Sequence, residues 1–338
     1  MLVLMLTYIS YKGAYLTSLS QALDFNLTPS CTPQISVQFS SDVAFGSVCV
    51  GGYVASAMTK YALHYASYQP QLQDQVDLHS AVFQFYRPVF PTSVITMPMR
   101  EVHIGKAMST LRVELSQEDK ISCSAELVIT DPSIKGITLQ TGWHLSPEAR
   151  QVDLAKLATD SDPNWTSYHC AFYPDGFRRG HSYAKTHIPR TWPAEISFLE
   201  QWVEPGWGCL PQGSRPSDSN DNARWTNEML HFVADMALPI QENFLPHEDG
   251  QPLPMGSIAA MLAFAARQQT AREQWQRNWR ALPDDGSREW LYLRTGCKRI
   301  VDGRMDLKVL VVDERMGLIA ISHQTVVLVP AAAKIRKE

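Results

Sequence analysis

The sequence predicts an α+β fold of two tandem units, each a long helix wrapped by an antiparallel sheet. Two observations support this prediction. One strongly periodic helical segment is followed by four short strand-like segments, and a pair of strands resembling the last two recurs near the C-terminus. At 338 residues the chain is long enough for two compact units of roughly 150 residues each. Hydrophobic residues make up 45% of it, enough for packed cores, which argues against disorder.

A connecting segment joins the two predicted units. Proline, serine and acidic residues collect in irregular sequence between Asp131 and about Arg179, which is typical of a connection rather than of a packed element. The predicted regions are an N-terminal extension (1–30), a first unit (31–131), the connecting segment (132–185), a second unit that carries the polar site (186–330) and a C-terminal tail (331–338).

The first unit is built on a helix predicted over 51–67. Apolar residues recur along one face of this segment at helical spacing, namely Val54, Ala57, Met58, Tyr61, Ala62 and Tyr65. Segments of strand character precede and follow it, at 33–41, 78–89, 94–105, 107–117 and 121–130.

Two glycines, Gly51 and Gly52, stand where this helix begins. Glycine there lets a ligand approach the free N–H groups of the first turn, where the helix dipole favours developing negative charge. The alternative is that the glycines only allow the helix to pack closely against a neighbouring element. From the pair alone, close packing is the favoured interpretation.

The second unit repeats this plan. We predict strands at 196–204, 258–266, 289–300, 304–312 and 317–329, a loop at 208–222, and a helix over 224–240 that Pro239 ends.

The last two strands of each unit can be overlaid, with 111–115 on 307–311 and 121–129 on 318–326. This overlay places Leu127 where the second unit has Gln324. A duplicated unit is the simplest explanation, and chance likeness between two amphipathic hairpins is the alternative.

Three polar residues of the second unit lie in apolar segments: Asp235, Ser257 and Gln324. Each would be costly to bury without a partner. A buried carboxylate takes up a proton or finds a donor, and a hydroxyl and an amide can supply that donor. We therefore expect the three side chains to share one small cavity. The alternative for Asp235 is a buried carboxylate satisfied by backbone groups.

Charge and composition exclude several classes of partner. The net charge of −4 and the pI near 6.2 offer no basic surface for nucleic acid. No run approaches the ~18 apolar residues of a membrane span, and the apolar start lacks the charged region and cleavage site of a signal peptide. The six cysteines form no C-x-x-C pair or Cys/His cluster, which predicts reduced thiols, no metal site and a cytoplasmic location.

Several phrases, in their order and spacing, resemble the thioesterase-like superfamily of double-hotdog proteins. These phrases are FGSVCVGGYVASAM, FQFYRPV, TNEMLHFVADM, GSIAAMLAF, REWLYLRTGCKRIVDGRMDLKV and LIAISHQ. The likeness is to fungal members and, more distantly, to the bacterial type II acyl-CoA thioesterase. It covers most of 30–330, but 268–286 is longer than the family's usual turn and the first twenty or so residues have no counterpart.

The resemblance implies an acyl-CoA or acyl-carrier-protein thioester substrate and no cofactor. It also implies a hydrolytic set of Asp, Ser or Thr, and Gln, which falls on Asp235, Ser257 and Gln324. Fungal relatives can carry other residues at the Gln position, so the resemblance alone does not establish hydrolysis. The two fused units already form the pairing that single-unit relatives need a dimer to make, so a homodimer is open but not required.

Thioester hydrolysis needs an activated water and stabilisation of an oxyanion. We expect Asp235, with Ser257 and Gln324, to hold the water, and the N–H groups of Gly51 and Gly52 to meet the oxyanion. No G-x-S-x-G phrase surrounds Ser257, so an orienting hydroxyl fits better than a nucleophile.

Two other classes of function remain open from the sequence. A non-hydrolytic tailoring enzyme of a secondary-metabolite pathway, acting as a cyclase or dehydratase on a polyketide or fatty-acyl chain, could use the same pocket. A binding module with a dead site is the third class. The presence of all three polar residues favours an enzyme over a module, but it does not separate hydrolase from cyclase.

Overall fold

A computed structural model describes residues 18–25, 27, 32–170, 175–211, 223–245, 252–269, 275–277 and 287–328. The predicted tail 331–338, part of the loop at 208–222 and most of the segment 268–286 lie outside these ranges. The first half contains α1 (Leu19–Ala22), β1 (Gln34–Val37), β2 (Ala44–Phe45), β3 (Val48–Cys49), α2 (Gly51–Ser67), β4 (Asp77–Phe85), β5 (Ile95–His103), β6 (Met108–Gln117) and β7 (Lys120–Thr130).

The second half begins within the predicted connecting segment. Its elements are α3 (Leu154–Ala158), β8 (Trp165–Tyr168), β9 (Ala184–Pro189), β10 (Phe198–Pro205), β11 (Cys209–Pro211), α4 (Leu230–Asp235), α5 (Ile258–Gln269), β12 (Trp275–Arg277), β13 (Leu291–Gly296), β14 (Ile300–Val301), β15 (Arg304–Val312) and β16 (Leu318–Val327). Short 3-10 helices lie at Arg179–Tyr183, Gly206–Gly208, Asn227–Met229 and Ile240–Asn243.

The first half is an antiparallel sheet packed on one long helix, as predicted. The strand order is β1-β5-β6-β7-β4, and every neighbouring pair is antiparallel. Helix α2 has the predicted bounds and packs against β4, β6 and β7. Strand β4 is an edge of the sheet, and Val82 on its outer face is exposed.

The second half is a larger antiparallel sheet. Its strand order is β14-β15-β13-β10-β9-β8, and β16 pairs with the other edge of β15. The α+β class is therefore confirmed. No helix in the described ranges is long and apolar enough to cross a membrane.

One hydrophobic core joins the two halves. Helix α2 is buried on nearly every side, with Tyr53 and Met58 inaccessible to solvent. The same core includes Phe232 of α4 and Val309 of β15 from the second half. The contact between the halves is therefore apolar, and a polar group within it needs a specific partner.

The prediction of a strand over 258–266 is wrong, because this segment lies in helix α5. Ile258 is its only β-branched residue, and alanine, methionine and leucine favour a helix. The Ser257 side chain accepts a hydrogen bond from the Ala260 N–H at 3.3 Å, which caps the first turn.

The helix predicted over 224–240 is also shorter than expected. A 3-10 turn at Asn227–Met229 leads into α4, which ends at Asp235, four residues before Pro239. The side chain of Gln201 in β10 bonds two backbone groups of the chain that follows the helix.

Part of the predicted connecting segment packs on the second sheet. Strand β8 pairs with β9. Arg294 donates to the carbonyl of Pro147, and Arg150 pairs with the buried Glu200 at 3.2 Å. These charged contacts hold the irregular chain around Pro147 against the sheet.

The hairpins β6–β7 and β15–β16 have matching registers. Leu111 lies opposite Leu127 in the first, and Leu307 lies opposite Gln324 in the second. This register agrees with the overlay of the two units, in which Leu127 and Gln324 are equivalent positions.

Helices α2 and α4 pack very closely at Gly52. A Cβ placed there would lie 2.6 Å from Asp235 Cβ, 2.8 Å from Phe232 Cα and still nearer to the carbonyl oxygen of His231. At the other end of the pair, Lys60 Nζ lies 3.4 Å from Glu228 Oε2, so the helices run antiparallel. Close packing, one of the two interpretations of the glycine pair, is therefore confirmed for Gly52.

The two glycines provide a matched test of this packing. Gly52→Ala should lower the free energy of unfolding by about 1–3 kcal/mol because the new Cβ meets backbone that cannot yield. At Gly51 the Cβ would make ordinary contacts, 3.4 Å from Asp235 Oδ2 and 3.8 Å from Phe85 Cζ. Gly51→Ala should therefore change stability by less than about 1 kcal/mol. Urea unfolding measures both, and equal losses would contradict the close approach at Gly52.

Candidate active site

The site is organised by Asp235, the last residue of α4. Helix α2 begins after Val50, which has no side chain to cap its free N–H groups. Asp235 Oδ2 instead accepts a hydrogen bond from the Gly52 N–H at 2.7 Å. A carboxylate from the second half thus caps the central helix of the first, at the end where the helix dipole favours negative charge.

Two opposing effects act on the pKa of Asp235. Burial raises the pKa because it penalises the charged carboxylate, and the hydrogen bond from Gly52 lowers it. Burial is the larger effect, so the pKa lies above the ordinary range of an aspartate. The carboxylate is consequently a stronger base than an exposed one.

Two polar groups at this site have no hydrogen-bond partner among the described residues. The second oxygen, Oδ1, has no hydrogen-bond partner among the described residues. The N–H of Gly51 likewise has no acceptor in the described part of the chain. The Phe85 ring lies over Gly51 and is 44% exposed, which leaves an opening to solvent beside the helix start.

Gln201 fixes the position of Asp235. Its side chain is inaccessible to solvent and makes two hydrogen bonds: its Nε2 donates to the Met236 carbonyl at 3.1 Å, and its Oε1 accepts from the Leu238 N–H at 2.7 Å. Both partners lie within three residues after Asp235. Gln201 is therefore a positioning residue, and sequence analysis missed it because Gln201 and Met236 are 35 positions apart.

Ser257 makes no hydrogen bond to Asp235 in the described structure. It is buried at the start of α5, where its hydroxyl oxygen caps the helix and its carbonyl accepts from the Met261 N–H at 2.9 Å. The neighbouring residue Ile258 packs with Leu238, which follows Asp235 by three residues. The structure thus places Ser257 near the same segment, without a hydrogen bond to the carboxylate.

Gln324 lies on the inner face of β16. Its strand neighbour Leu307 packs against the shared core, while His323 is exposed on the opposite face. The Gln324 amide donates to Ser322 Oγ at 3.3 Å, and no hydrogen bond joins it to Asp235 in the described structure. Of the predicted site residues, Asp235, Gly51 and Gly52 are brought together, and the convergence of all three polar side chains stays a prediction.

Two further residues line the site. His231 lies one turn before Asp235 on α4, and its ring meets Phe83 of β4 edge to face, with centroids 5.0 Å apart. Burial lowers the pKa of His231 to about 4. The spacing of four residues in HFVAD could have signalled this neighbour, but its burial depends on β4.

The two halves of the chain match known family models. The Acyl-CoA thioesterase N-terminal domain model matches residues 39–130, and the corresponding C-terminal domain model matches residues 153–328. The chain belongs to the acyl-CoA thioesterase family. It is accordingly a thioesterase-like enzyme, and its double-hotdog architecture is confirmed.

Relatives of this acyl-CoA thioesterase family member align with it over most of both chains. The thioesterase-like protein TwmA of Talaromyces wortmannii is 24% identical over 331 residues, which span 86% of this chain and 87% of that protein. A proposed thioesterase II from Thermobifida fusca aligns with a TM-score of 0.59 and 16% identity, covering 93% and 98% of the two chains. A hot dog fold protein from Alicyclobacillus acidocaldarius aligns with a TM-score of 0.55 and 12% identity, covering 92% and 98%. The structural likenesses concern the fold.

The positioning role of Gln201 is testable with a matched variant. Gln201→Met leaves the Met236 carbonyl and the Leu238 N–H unpaired, so unfolding free energy should fall by about 2–4 kcal/mol. Displacement of Asp235 should also lower kcat by roughly tenfold or more. Thioester turnover and urea unfolding measure the two effects.

Gln117 is the control, because its amide bonds both the N–H and the carbonyl of Phe90 within the first half. Gln117→Met should cost similar stability and leave kcat unchanged. A Gln201→Met protein that is destabilised but retains full kcat would show that Gln201 does not position the site.

Proposed function

We propose that this protein hydrolyses acyl-CoA thioesters with a water molecule activated by Asp235. The observation that carries the proposal is the carboxylate at the N-terminus of α2, with one oxygen fixed by Gly52 and the other without a described partner. Membership of the acyl-CoA thioesterase family supports the choice of substrate. The apolar rings of Phe83 and Phe85 beside the site suit an acyl chain.

In this mechanism Asp235 removes a proton from water while the oxygen of that water attacks the thioester carbonyl carbon. The tetrahedral oxyanion collapses, the carbon–sulfur bond breaks, and the departing thiolate takes the proton back from Asp235. The products are a carboxylic acid and a free thiol. The raised pKa of Asp235 helps the first step because a stronger base accepts the proton of water more readily.

The assignment of oxyanion donors follows from which N–H groups are already used. Gly52 donates to Asp235, so in this arrangement its role is to hold the base. The Gly51 N–H is the backbone donor that remains for the oxyanion, at the positive end of the helix dipole. Gln324 and Ser257 orient the water or the substrate if closure of the site brings them nearer to Asp235.

Asp235→Asn should reduce kcat for acyl-CoA hydrolysis by ~10²-fold or more, because the amide cannot accept a proton from water. Thiol release from a panel of acyl-CoA substrates of different chain length provides the measurement. Glu228→Gln is the matched control: it is the same acid-to-amide change, at the start of the same helical segment, in a residue that pairs with Lys60. The control should keep full activity.

Two results would overturn the proposal. Full activity in Asp235→Asn would remove the carboxylate from the mechanism. Absence of thiol release by the wild type from every acyl-CoA and acyl-carrier-protein substrate would argue instead for a tailoring enzyme that keeps the thioester.

The pH profile gives an independent prediction. Because Asp235 must be ionised to act as the base, kcat/KM should fall as the pH is lowered through its pKa. Burial raises that pKa, so the midpoint of the acid limb should lie above the ordinary value of about 3.9. Initial rates between about pH 4 and pH 8 measure it.

His231 is the neighbouring group that could confuse this measurement, since its own pKa is about 4. The limb should therefore persist in His231→Gln, which cannot titrate. A limb that disappears in this variant would assign the titration to the histidine and contradict the assignment to Asp235.

A further inference from the structure

His231 is a polar residue at the site that the mechanism above does not use. It lies four residues before Asp235, so both side chains emerge from the same face of α4, with Cβ atoms about 5–6 Å apart in a regular helix. Its backbone carbonyl oxygen is the atom nearest to a Cβ placed on Gly52. The residue is therefore held directly against the first turn of α2.

The ring of His231 is oriented by an aromatic neighbour but has no hydrogen-bond partner among the described residues. Phe83 meets it edge to face at an interplanar angle of 74°, which fixes the plane of the imidazole. No hydrogen bond to either ring nitrogen is found among the described residues. The residue is half-buried, so part of it remains accessible to solvent.

Burial also determines what this ring can do. With a pKa of about 4, the imidazole is neutral at pH 7 and carries one N–H donor. A neutral imidazole is a poor base at this pKa but can donate a hydrogen bond to a developing oxyanion. The site needs such a donor because Gly52 is bonded to Asp235, which leaves Gly51 as the backbone donor.

We infer that His231 is a further catalytic residue, whose ring N–H donates a hydrogen bond to the thioester carbonyl oxygen opposite the Gly51 N–H. This inference rests on the proposed hydrolysis, since it assigns the second oxyanion donor of that reaction. In the tetrahedral intermediate the negative charge would lie between one backbone and one side-chain donor.

Substitutions separate this role from simple packing. His231→Leu removes the donor but fills most of the space, and it should lower kcat by ~10²-fold with KM changed by less than about threefold. His231→Gln restores an N–H at a similar distance from the backbone and should recover at least tenfold of that loss. His79→Leu, on the exposed face of β4, is the control and should leave kcat unchanged.

Infrared spectroscopy of the bound thioester gives a readout that needs no turnover. In an Asp235→Asn background the substrate persists, and its carbonyl stretch should lie at lower frequency than in water because the donors polarise it. Adding His231→Leu should move the band back towards the value in water. A packing residue would not move it.

Each outcome decides one question. An unmoved band, or equal kcat loss in the Leu and Gln variants together with equal loss of unfolding free energy, overturns the role of His231. A band that depends on His231 in a protein without thiol release supports the hydrogen bond and overturns the hydrolase proposal.

Discussion

One hydrogen bond connects the fold to the chemistry: the Gly52 N–H at the start of α2 donates to the carboxylate of Asp235 at the end of α4. The central helix has no cap of its own, because Val50 offers no polar side chain. A buried carboxylate, for its part, needs a donor. Each half therefore satisfies a requirement of the other. The bond lowers the pKa of Asp235, but burial raises it by more, so the base is held in place while its pKa stays above the ordinary range.

The hydrophobic pattern of a segment predicts an element well when the structure of that element depends on the segment alone. Helix α2 has its predicted bounds because a long segment with one apolar face fits a helix and little else. The segment 258–266 was predicted wrongly because a short apolar run fits a strand or a helix equally, and composition then decides. The chain after helix α4 is held by Gln201, a residue 35 positions from its partner Met236. Such a contact leaves no local signal.

The candidate site likewise combines features that the local sequence shows with features that depend on the whole fold. Asp235 could be identified because a carboxylate in an apolar helix requires a partner, but that partner is a backbone N–H more than a hundred residues away. The alternatives for Gly52, ligand approach and close packing, could be separated only by the position of α4. The spacing of His231 from Asp235 can be read from the sequence but was not used there, and its neutral state follows from burial that the whole fold creates.

The two hairpins explain why one half carries the polar side chains. Leu127 and Gln324 hold the same register, but Leu127 is inaccessible to solvent whereas Gln324 is half-buried. An amide at position 127 would lose water without gaining a partner, a cost of about 1–3 kcal/mol for each unpaired group. In the second hairpin the amide keeps some access to solvent and bonds Ser322. At the contact between the halves, the first half contributes a helix terminus and the second half the carboxylate that caps it.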